Sequence, residues 1–216
     1  MSLPPADAAL TLTPAADLPW EDPELHRLPA LLRTVWAFLR HPGPSFRAMH
    51  PAGVGPAVVF GLLTGTFGMA AALYSQLLMS LSLDLPMLRW TGAEFSWPVL
   101  LSLQVFLPLL VFIGLVLGSL SLYLVTLPWR RPGLGAAFRV TGYAQAGLVT
   151  GLIPVVGGML ALSISLYLRV RGVQEVFHLP GWRAWLAVAA ALLVESLFLV
   201  LGLVLLLVPL AYLALR

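Results

Sequence analysis

The chain has no cysteine and no lysine, and only 10% of its 216 residues carry a charge. Without cysteine, neither a disulfide framework nor a thiolate metal site is available. With 60% hydrophobic residues and a mean hydropathy of +0.95, a soluble protein of this length would have too little polar surface to cover its core. The shortage of charge therefore predicts an integral membrane protein.

An apolar core is missing from residues 1–27, which have an acidic bias. This stretch therefore has the features of neither a signal peptide nor a membrane span. We expect it to form a flexible cytoplasmic tail.

Long runs without charge occupy much of the remaining chain. Residues 48–83 and 95–129 contain no Asp, Glu, Lys or Arg, and residues 184–215 contain a single charge, Glu195. Each block is long enough for one span of about 20 residues. The blocks predict membrane spans at about 54–82, 98–127 and 184–213.

A fourth uncharged run, residues 140–168, is too long for one straight span and too short for two full spans. Its centre, "IPVVGG", contains Pro154, Gly157 and Gly158, residue types that favour or tolerate turns. Two spans at about 134–153 and 155–174 would then form a tight helical hairpin. One kinked helix is the alternative, because Pro and Gly also occur inside spans.

Arginine placement favours two crossings of this stretch. With five spans, ten of the twelve arginines fall on one side of the membrane, a bias typical of the cytoplasmic side. The tryptophans agree, with two at the outer boundary and three at the inner one: Trp90 and Trp97, then Trp129, Trp182 and Trp185. We therefore predict an all-α, polytopic five-span bundle in residues 50–216, with the N-terminus cytoplasmic and the C-terminus outside.

Residues 28–49, before the first span, predict an amphipathic helix followed by a short second turn. Five apolar residues repeat at helical spacing on one face: Leu31, Leu32, Val35, Phe38 and Leu39. Arg33 and Arg40 lie together on another face, and Pro42 ends the helix. We expect the segment to lie in the cytoplasmic membrane interface. The alternative is a cytoplasmic helix packed on the bundle.

Several motifs resemble those of a known family. Before the first span stand Thr34, Phe38, Leu39, Pro42, Phe46 and Met49, and later come "FRVTGYAQ", "IPVVGGML" and "LYLRVRGVQEVF". Together these resemble the bacterial branch of the YIP domain family, relatives of the Ypt/Rab-interacting membrane proteins, over residues 28–210. The resemblance implies five spans, a cytoplasmic N-terminus and no defined activity. The expected location is a bacterial inner membrane.

Catalytic signatures are missing from the sequence. The four histidines, at positions 26, 41, 50 and 178, lie outside the predicted spans, which argues against an intramembrane Ser/His pair. No HExxH motif is present, and "GSLS" at 118–121 is typical of helix packing. We predict no catalytic, cofactor-binding or metal-binding residues. The function expected is membrane organisation or protein–protein interaction, with the lipid bilayer, copies of the chain or other membrane proteins as partners, and no nucleic acid.

Glu195 is the residue that requires a hypothesis of its own. It lies about 16 Å into the last predicted span, where an unpaired carboxylate is costly. A hydrogen bond to Gln145 across the bundle is the structural interpretation. The alternative is a small transporter or channel component that uses Glu195 as a protonatable group, with Tyr143 or Gln104 nearby.

Three GxxxG pairs predict close packing of helices, either within one molecule or between copies. The pairs are Gly61 and Gly65, Gly114 and Gly118, and Gly147 and Gly151. Because the chain has 19 glycines, one or two such pairs are expected by chance. The pairs are therefore weak evidence about helix packing.

Overall fold

A computed structural model describes residues 18–50, 53–83, 97–129 and 133–214, and every regular element in these residues is helical. Seven α-helices and one 3₁₀ helix follow one another in this described part of the chain. They are α1 (Arg27–Arg40), α2 (Pro42–Arg47), α3 (Gly55–Leu83), α4 (Trp97–Thr126), α5 (Leu134–Ala144), the 3₁₀ helix (Gln145–Leu152), α6 (Gly157–Phe177) and α7 (Gly181–Ala214).

Three of these helices are long and apolar enough to cross a bilayer. Within the described residues the candidate spans are Gly55–Ser75 in α3, Gln104–Thr126 in α4 and Gly181–Gly202 in α7. Large apolar side chains point away from the bundle, such as Val105 at 77% exposure and Leu193 at 74%. In a bilayer such side chains contact lipid. The prediction of an all-helical membrane protein is therefore confirmed for the described residues, with three candidate spans.

The chain from α5 to α6 reverses direction and forms an antiparallel hairpin. Gly147 packs against Ser165, and Gly172 packs against Val140. In a single continuous helix, Val140 and Gly172 would lie about 48 Å apart. The segment around "IPVVGG" is therefore a turn between two helical arms, and the alternative of one kinked helix is wrong.

The turn of this hairpin has its positive φ at Val155 and not at a glycine. Val155 has a φ of 69°, and the Val156 N–H donates to the Pro154 carbonyl at 2.8 Å, which is the geometry of a γ-turn. β-branched residues rarely adopt a positive φ, so the tip is strained. Gly157 serves a different purpose, because a Cβ there would lie 2.7 Å from the Gly151 carbonyl oxygen.

The first arm of the hairpin ends in a 3₁₀ helix of eight residues. Runs of this length are uncommon because the hydrogen-bond geometry is poorer than in an α-helix. Close contacts surround the element: Leu148 lies against Gly68 of α3, and a Cβ at Gly151 would lie 2.8 Å from the Gly68 carbonyl oxygen. The slender 3₁₀ helix therefore fits between α3 and α6, where glycines let the backbones approach.

The glycines of the three GxxxG pairs differ in their surroundings. A Cβ at Gly61 or Gly65 would lie 2.7 Å from a side-chain atom of Leu115 or Val111, both on α4. Gly114, in contrast, has no neighbour within 4 Å of the position that its Cβ would take.

Two further glycines, outside the GxxxG pairs, make backbone contacts at least as close. Gly142 of α5 lies directly against the carbonyl of Ala57 in α3, and Gly68 lies against the carbonyl of Leu148. The GxxxG spacing missed both residues because neither has a second glycine four residues away in the sequence.

An aromatic cluster attaches α1 to the bundle, and its members are Trp20, Phe38, Phe46, Phe60 and Tyr143. Phe38 is fully buried and stacks on Tyr143 of α5 with ring centroids 5.1 Å apart. Phe60 of α3 lies 5.0 Å from the same tyrosine ring. One residue of α1 thereby contacts the centre of the molecule.

The buried face of α1 differs from the apolar face predicted for it. Val35 and Phe38 are buried, but Leu32 is 59% exposed. Ala30 and Thr34, which were outside the predicted face, complete the buried side. One side of α1 therefore packs on the bundle. Leu32 belongs to a second apolar stripe, which it forms with Leu28 and Trp36.

The boundary predicted for the flexible tail is wrong for its last residues. Leu18 and Trp20 are 2% and 6% exposed, and the Trp20 indole N–H donates to the Pro56 carbonyl at 2.8 Å. Packing of a large aromatic side chain thus orders a segment that has no helical pattern of its own. Residues 1–17 lie outside the described residues.

One end of the bundle, called the arginine end below, holds the start of α3, α5 and α7 and the end of α4 and α6. There Arg139 donates to the His50 carbonyl at 2.7 Å, Arg47 lies 3.4 Å from Glu175, and Arg171 donates to Gln174 at 2.8 Å. Several residues that bear on the predicted charge and tryptophan bias lie outside the described residues: Arg89, Trp90, Arg130, Arg131 and Arg216.

The glycine contacts generate a prediction with a matched control. Gly142→Ala should lower the free energy of unfolding by about 1–3 kcal/mol, because its Cβ would overlap the Ala57 carbonyl. Gly114→Ala has open space and should leave stability unchanged or raise it by about 0.5–1 kcal/mol. Denaturation in detergent micelles measures both variants. Equal losses from the two would contradict the packing described here.

Candidate functional site

Glu195 of α7 pairs with Arg169 of α6. The Arg169 guanidinium donates to Glu195 Oε2 at 3.1 Å, and the side chains are 15% and 14% exposed. The loop at 178–180 joins the two helices at the arginine end. Arg169 lies about two turns before that loop and Glu195 about four turns after it, so the long arginine side chain spans the offset.

Gly118 of α4 provides the space that the ion pair occupies. A Cβ at this position would lie 3.3 Å from Glu195 Oε2 and 3.4 Å from the Arg169 guanidinium. The methyl group of Thr141, on α5, lies 3.3 Å from the same point. Four helices therefore meet at the pair, and glycine is the residue that allows their approach.

Two hydroxyl groups of α4 and α5 are buried without a hydrogen-bond partner, those of Ser121 and Thr141. Other hydroxyls in α4 bond to their own helix; the Ser119 hydroxyl, for example, donates to the Leu115 carbonyl at 2.6 Å. Thr141 borders the ion pair, and Ser121 lies one turn from Gly118 along α4. Such buried groups are unusual in folded proteins.

A charge in this position requires compensation. Glu195 lies within the candidate span of α7, where charged side chains are costly and normally pair with one another. Arg169 supplies a planar, permanently charged donor, and charge-assisted hydrogen bonds are about twice as strong as neutral ones. The arrangement holds two opposite charges between α6 and α7 and fixes how these helices face each other.

Gln145 is not the partner of Glu195, so that prediction is wrong. Its side chain lies against α3, with Oε1 3.6 Å from where a Gly65 Cβ would stand. The Tyr143 hydroxyl donates to Glu21 Oε1 at 2.6 Å, at a different polar centre. Gln104 lies about four turns along α4 from Gly118. None of the three polar residues suggested for Glu195 therefore joins it.

Arg169 was missed because both arginines of "LYLRVRG" were counted among the ten expected on the cytoplasmic side. A signal was present, since residues two apart on a helix point in nearly opposite directions. Arg171 turns toward Glu175 and Gln174, whereas Arg169 turns toward α7. Only one of the two could face water at the end of the hairpin.

The fold and this buried pair define the protein as an all-helical membrane protein with an ion pair between two of its helices. No protein-family model matches the chain, and no curated protein and no solved structure matches it. The resemblance to the YIP domain family consequently stays a prediction.

A double-mutant cycle tests the energetic role of the pair. Arg169→Leu and Glu195→Leu should each lower the free energy of unfolding by about 3–5 kcal/mol, because each leaves one buried charge uncompensated. The double variant should lose less than either single variant. Arg183→Leu, which removes an exposed arginine stacked 5.0 Å from the Trp182 ring, is the control and should cost at most about 1 kcal/mol.

Denaturation in micelles or bicelles measures the wild type and the four variants. Additive losses in the double variant would show that the two charges contribute independently, which would contradict the pairing.

Proposed function

We propose that this chain is a non-catalytic, membrane-organising protein of the YIP type that holds α1 as a rigid wedge in the membrane interface at its arginine end. The proposal places it in a bacterial inner membrane with the N-terminus cytoplasmic. The observation that carries it is the second apolar stripe of α1.

The stripe consists of Leu28, Leu32 and Trp36, which are 67%, 59% and 56% exposed. Their spacing of four residues places them on successive turns of one face. Arg33 and Arg40 border the stripe, and the Arg40 guanidinium lies 4.3 Å from the centre of the Trp36 ring. An apolar face bordered by arginine is typical of a helix in the plane of a membrane interface.

Anchoring of the opposite face distinguishes this helix from a freely binding peptide. Thr34 and Phe38 are fully buried against the bundle, so the stripe cannot turn inward without dismantling the aromatic cluster. The stripe therefore stays on the outer side of α1, at a fixed position relative to the bundle.

Exposed tryptophans support the placement of this end at a membrane boundary. Trp129 follows α4, and Trp182 and Trp185 begin α7, with exposures of 38%, 61% and 49%. Tryptophan is enriched at membrane–water boundaries because its ring is apolar and its N–H is polar. Together with Trp36 these residues form a belt at the arginine end.

Five crossings are part of the proposal. The first arm of the hairpin is about 32 Å long and α6 about 31 Å, close to the hydrocarbon thickness of about 30 Å. α6 carries three charges, but Arg169 is paired with Glu195, and Arg171 and Glu175 lie near its end. Both arms thus have the length needed to cross.

The bilayer is the first partner that we propose, followed by copies of the chain or other membrane proteins; neither catalysis nor nucleic-acid binding is part of the proposal. The transport alternative has less support, because Glu195 bonds to Arg169 and is separated from Gln145, Tyr143 and Gln104.

Depth-dependent quenching tests the position of α1. Because the chain has no native cysteine, Leu32→Cys and Arg33→Cys each create one labelling site, on adjacent residues with different orientations. In liposomes containing lipids spin-labelled near the headgroup, a fluorophore at position 32 should be quenched more strongly than one at position 33. Equal, weak quenching at both positions would place α1 in water and contradict the wedge.

A second measurement addresses membrane organisation itself. Wild-type protein should shift reconstituted liposomes toward smaller diameters as the protein-to-lipid ratio rises, since a wedge occupies one leaflet only. Replacing Leu28, Leu32 and Trp36 with Ser should abolish the shift while leaving the melting temperature nearly unchanged. Identical liposome sizes with both proteins would contradict the proposed function.

A further inference from the structure

Residues 18–21, "LPWE", lie in a groove formed by α1, α3, α5 and the residues that follow α2. Leu18 and Trp20 are almost completely buried there, and the Trp20 ring meets Phe60 edge-on at 6.0 Å. The only hydrogen bond within the segment runs from the Glu21 N–H to the Leu18 carbonyl at 2.8 Å. The groove, and not internal structure, therefore orders these four residues.

The groove matches the polar groups of its occupant one by one. The Trp20 backbone N–H donates to Thr34 Oγ1 at 3.0 Å, and its indole N–H donates to the Pro56 carbonyl at 2.8 Å. Glu21 accepts two hydrogen bonds, from the Tyr143 hydroxyl at 2.6 Å and from the His50 backbone N–H at 2.7 Å. Both oxygens of the Glu21 carboxylate thus accept a hydrogen bond from the groove.

The walls of the groove hold together through contacts that do not involve the segment. Phe38, Phe60 and Tyr143 pack on one another, and Phe38 also meets Phe46 at 4.8 Å. Arg139 holds His50 in place by donating to its carbonyl at 2.7 Å, and the His50 N–H in turn donates to Glu21. These contacts would remain if residues 18–21 left the groove. The Tyr143 hydroxyl would lose its acceptor, and Thr34 Oγ1 would lose the Trp20 N–H as its donor.

Two arginines lie close to the groove. The Arg27 guanidinium lies 5.9 Å from the Trp20 ring, and Arg139 stands behind His50. An extended peptide that offers an aromatic ring with an N–H, followed directly by a carboxylate, is the chemistry that these positions recognise.

We propose that this groove is a peptide-binding site for an extended aromatic–acidic segment of a partner protein, and that residues 18–21 occupy it in cis as a displaceable pseudoligand. Ordering a short segment without regular structure costs conformational entropy of the same order as its contacts return. Covalent attachment favours the internal segment through an effective concentration on the order of millimolar. A partner segment with additional contacts can overcome that advantage.

This inference rests on the groove alone and does not depend on the wedge proposed for α1. It extends the expected protein–protein interaction to a defined site and a defined ligand chemistry.

The experiment uses the full-length chain with Trp20→Ala and Glu21→Ala, which weaken the internal occupant. A fluorescent peptide of residues 12–24 serves as the probe in a polarisation assay. The peptide should bind the double variant at least tenfold more tightly than wild type, in which the groove is filled. No binding to a double variant that retains its elution volume and cooperative melting would overturn the proposal.

Further variants test the chemistry of recognition. Adding Tyr143→Phe to the double variant should weaken peptide binding about tenfold, since one hydrogen bond to a charged group is lost. Tyr167→Phe, on the exposed side of α6, is the matched control and should have no effect. Peptides with Ala for the tryptophan or Gln for the glutamate should bind more weakly than the parent. Equal binding of all peptides would overturn the assigned ligand chemistry.

The oligomeric state distinguishes a partner protein from a second copy as the source of the segment. Wild-type protein in micelles should not form a dimer that the Trp20→Ala, Glu21→Ala double variant dissociates. Such a dimer would assign the groove to exchange between copies and overturn its assignment to a partner.

Discussion

Antiparallel packing of the hairpin is the constraint on which the rest of this structure depends. The reversal at 153–156 brings the end of α6 back to the start of α5, and the short loop at 178–180 then starts α7 at the same place. The two arms pack closely, because Gly147 meets the backbone of Ser165 and Gly172 meets the side chain of Val140. The arginine end, the aromatic cluster and the anchoring of α1 all follow from that reversal, because Tyr143 and Arg139 belong to one arm and Arg171 and Glu175 to the other.

The ion pair inside the bundle depends on the same constraint. Arg169 reaches Glu195 only because α6 returns antiparallel to α5 and places its last turns beside α7. In an apolar environment each charge alone is costly. The pair therefore favours the register of α6 against α7 in which Arg169 meets Glu195, compared with shifted registers that leave each charge unpaired. Gly118 and Thr141 belong to α4 and α5, and their position at the pair brings four helices together at a single point. A polar contact that adds little stability in water can thus specify an arrangement of helices in lipid.

Much of the helical layout could be predicted from charge-free runs, because span length and bilayer thickness limit the alternatives. Pro154 and the arginine bias pointed to the reversal, although the strained residue proved to be Val155. What could not be predicted were contacts between distant segments: the Tyr143–Glu21 bond joins residues 122 positions apart, and no local pattern announces it. Trp20 looked like part of a tail for the same reason. The partner of Glu195 was missed because helical periodicity places a residue on a face but does not say how far a long side chain reaches.

The central claim, that the hairpin crosses the membrane twice, is tested most directly by cysteine accessibility in sealed vesicles. Val155 is 75% exposed at the tip of the hairpin, and His178 is exposed at the arginine end. In the natural cysteine-free background, a membrane-impermeant maleimide should label Val155→Cys from one side of the vesicle and His178→Cys from the opposite side. Labelling of both from the same side, or protection of Val155→Cys from both sides, would contradict the two crossings.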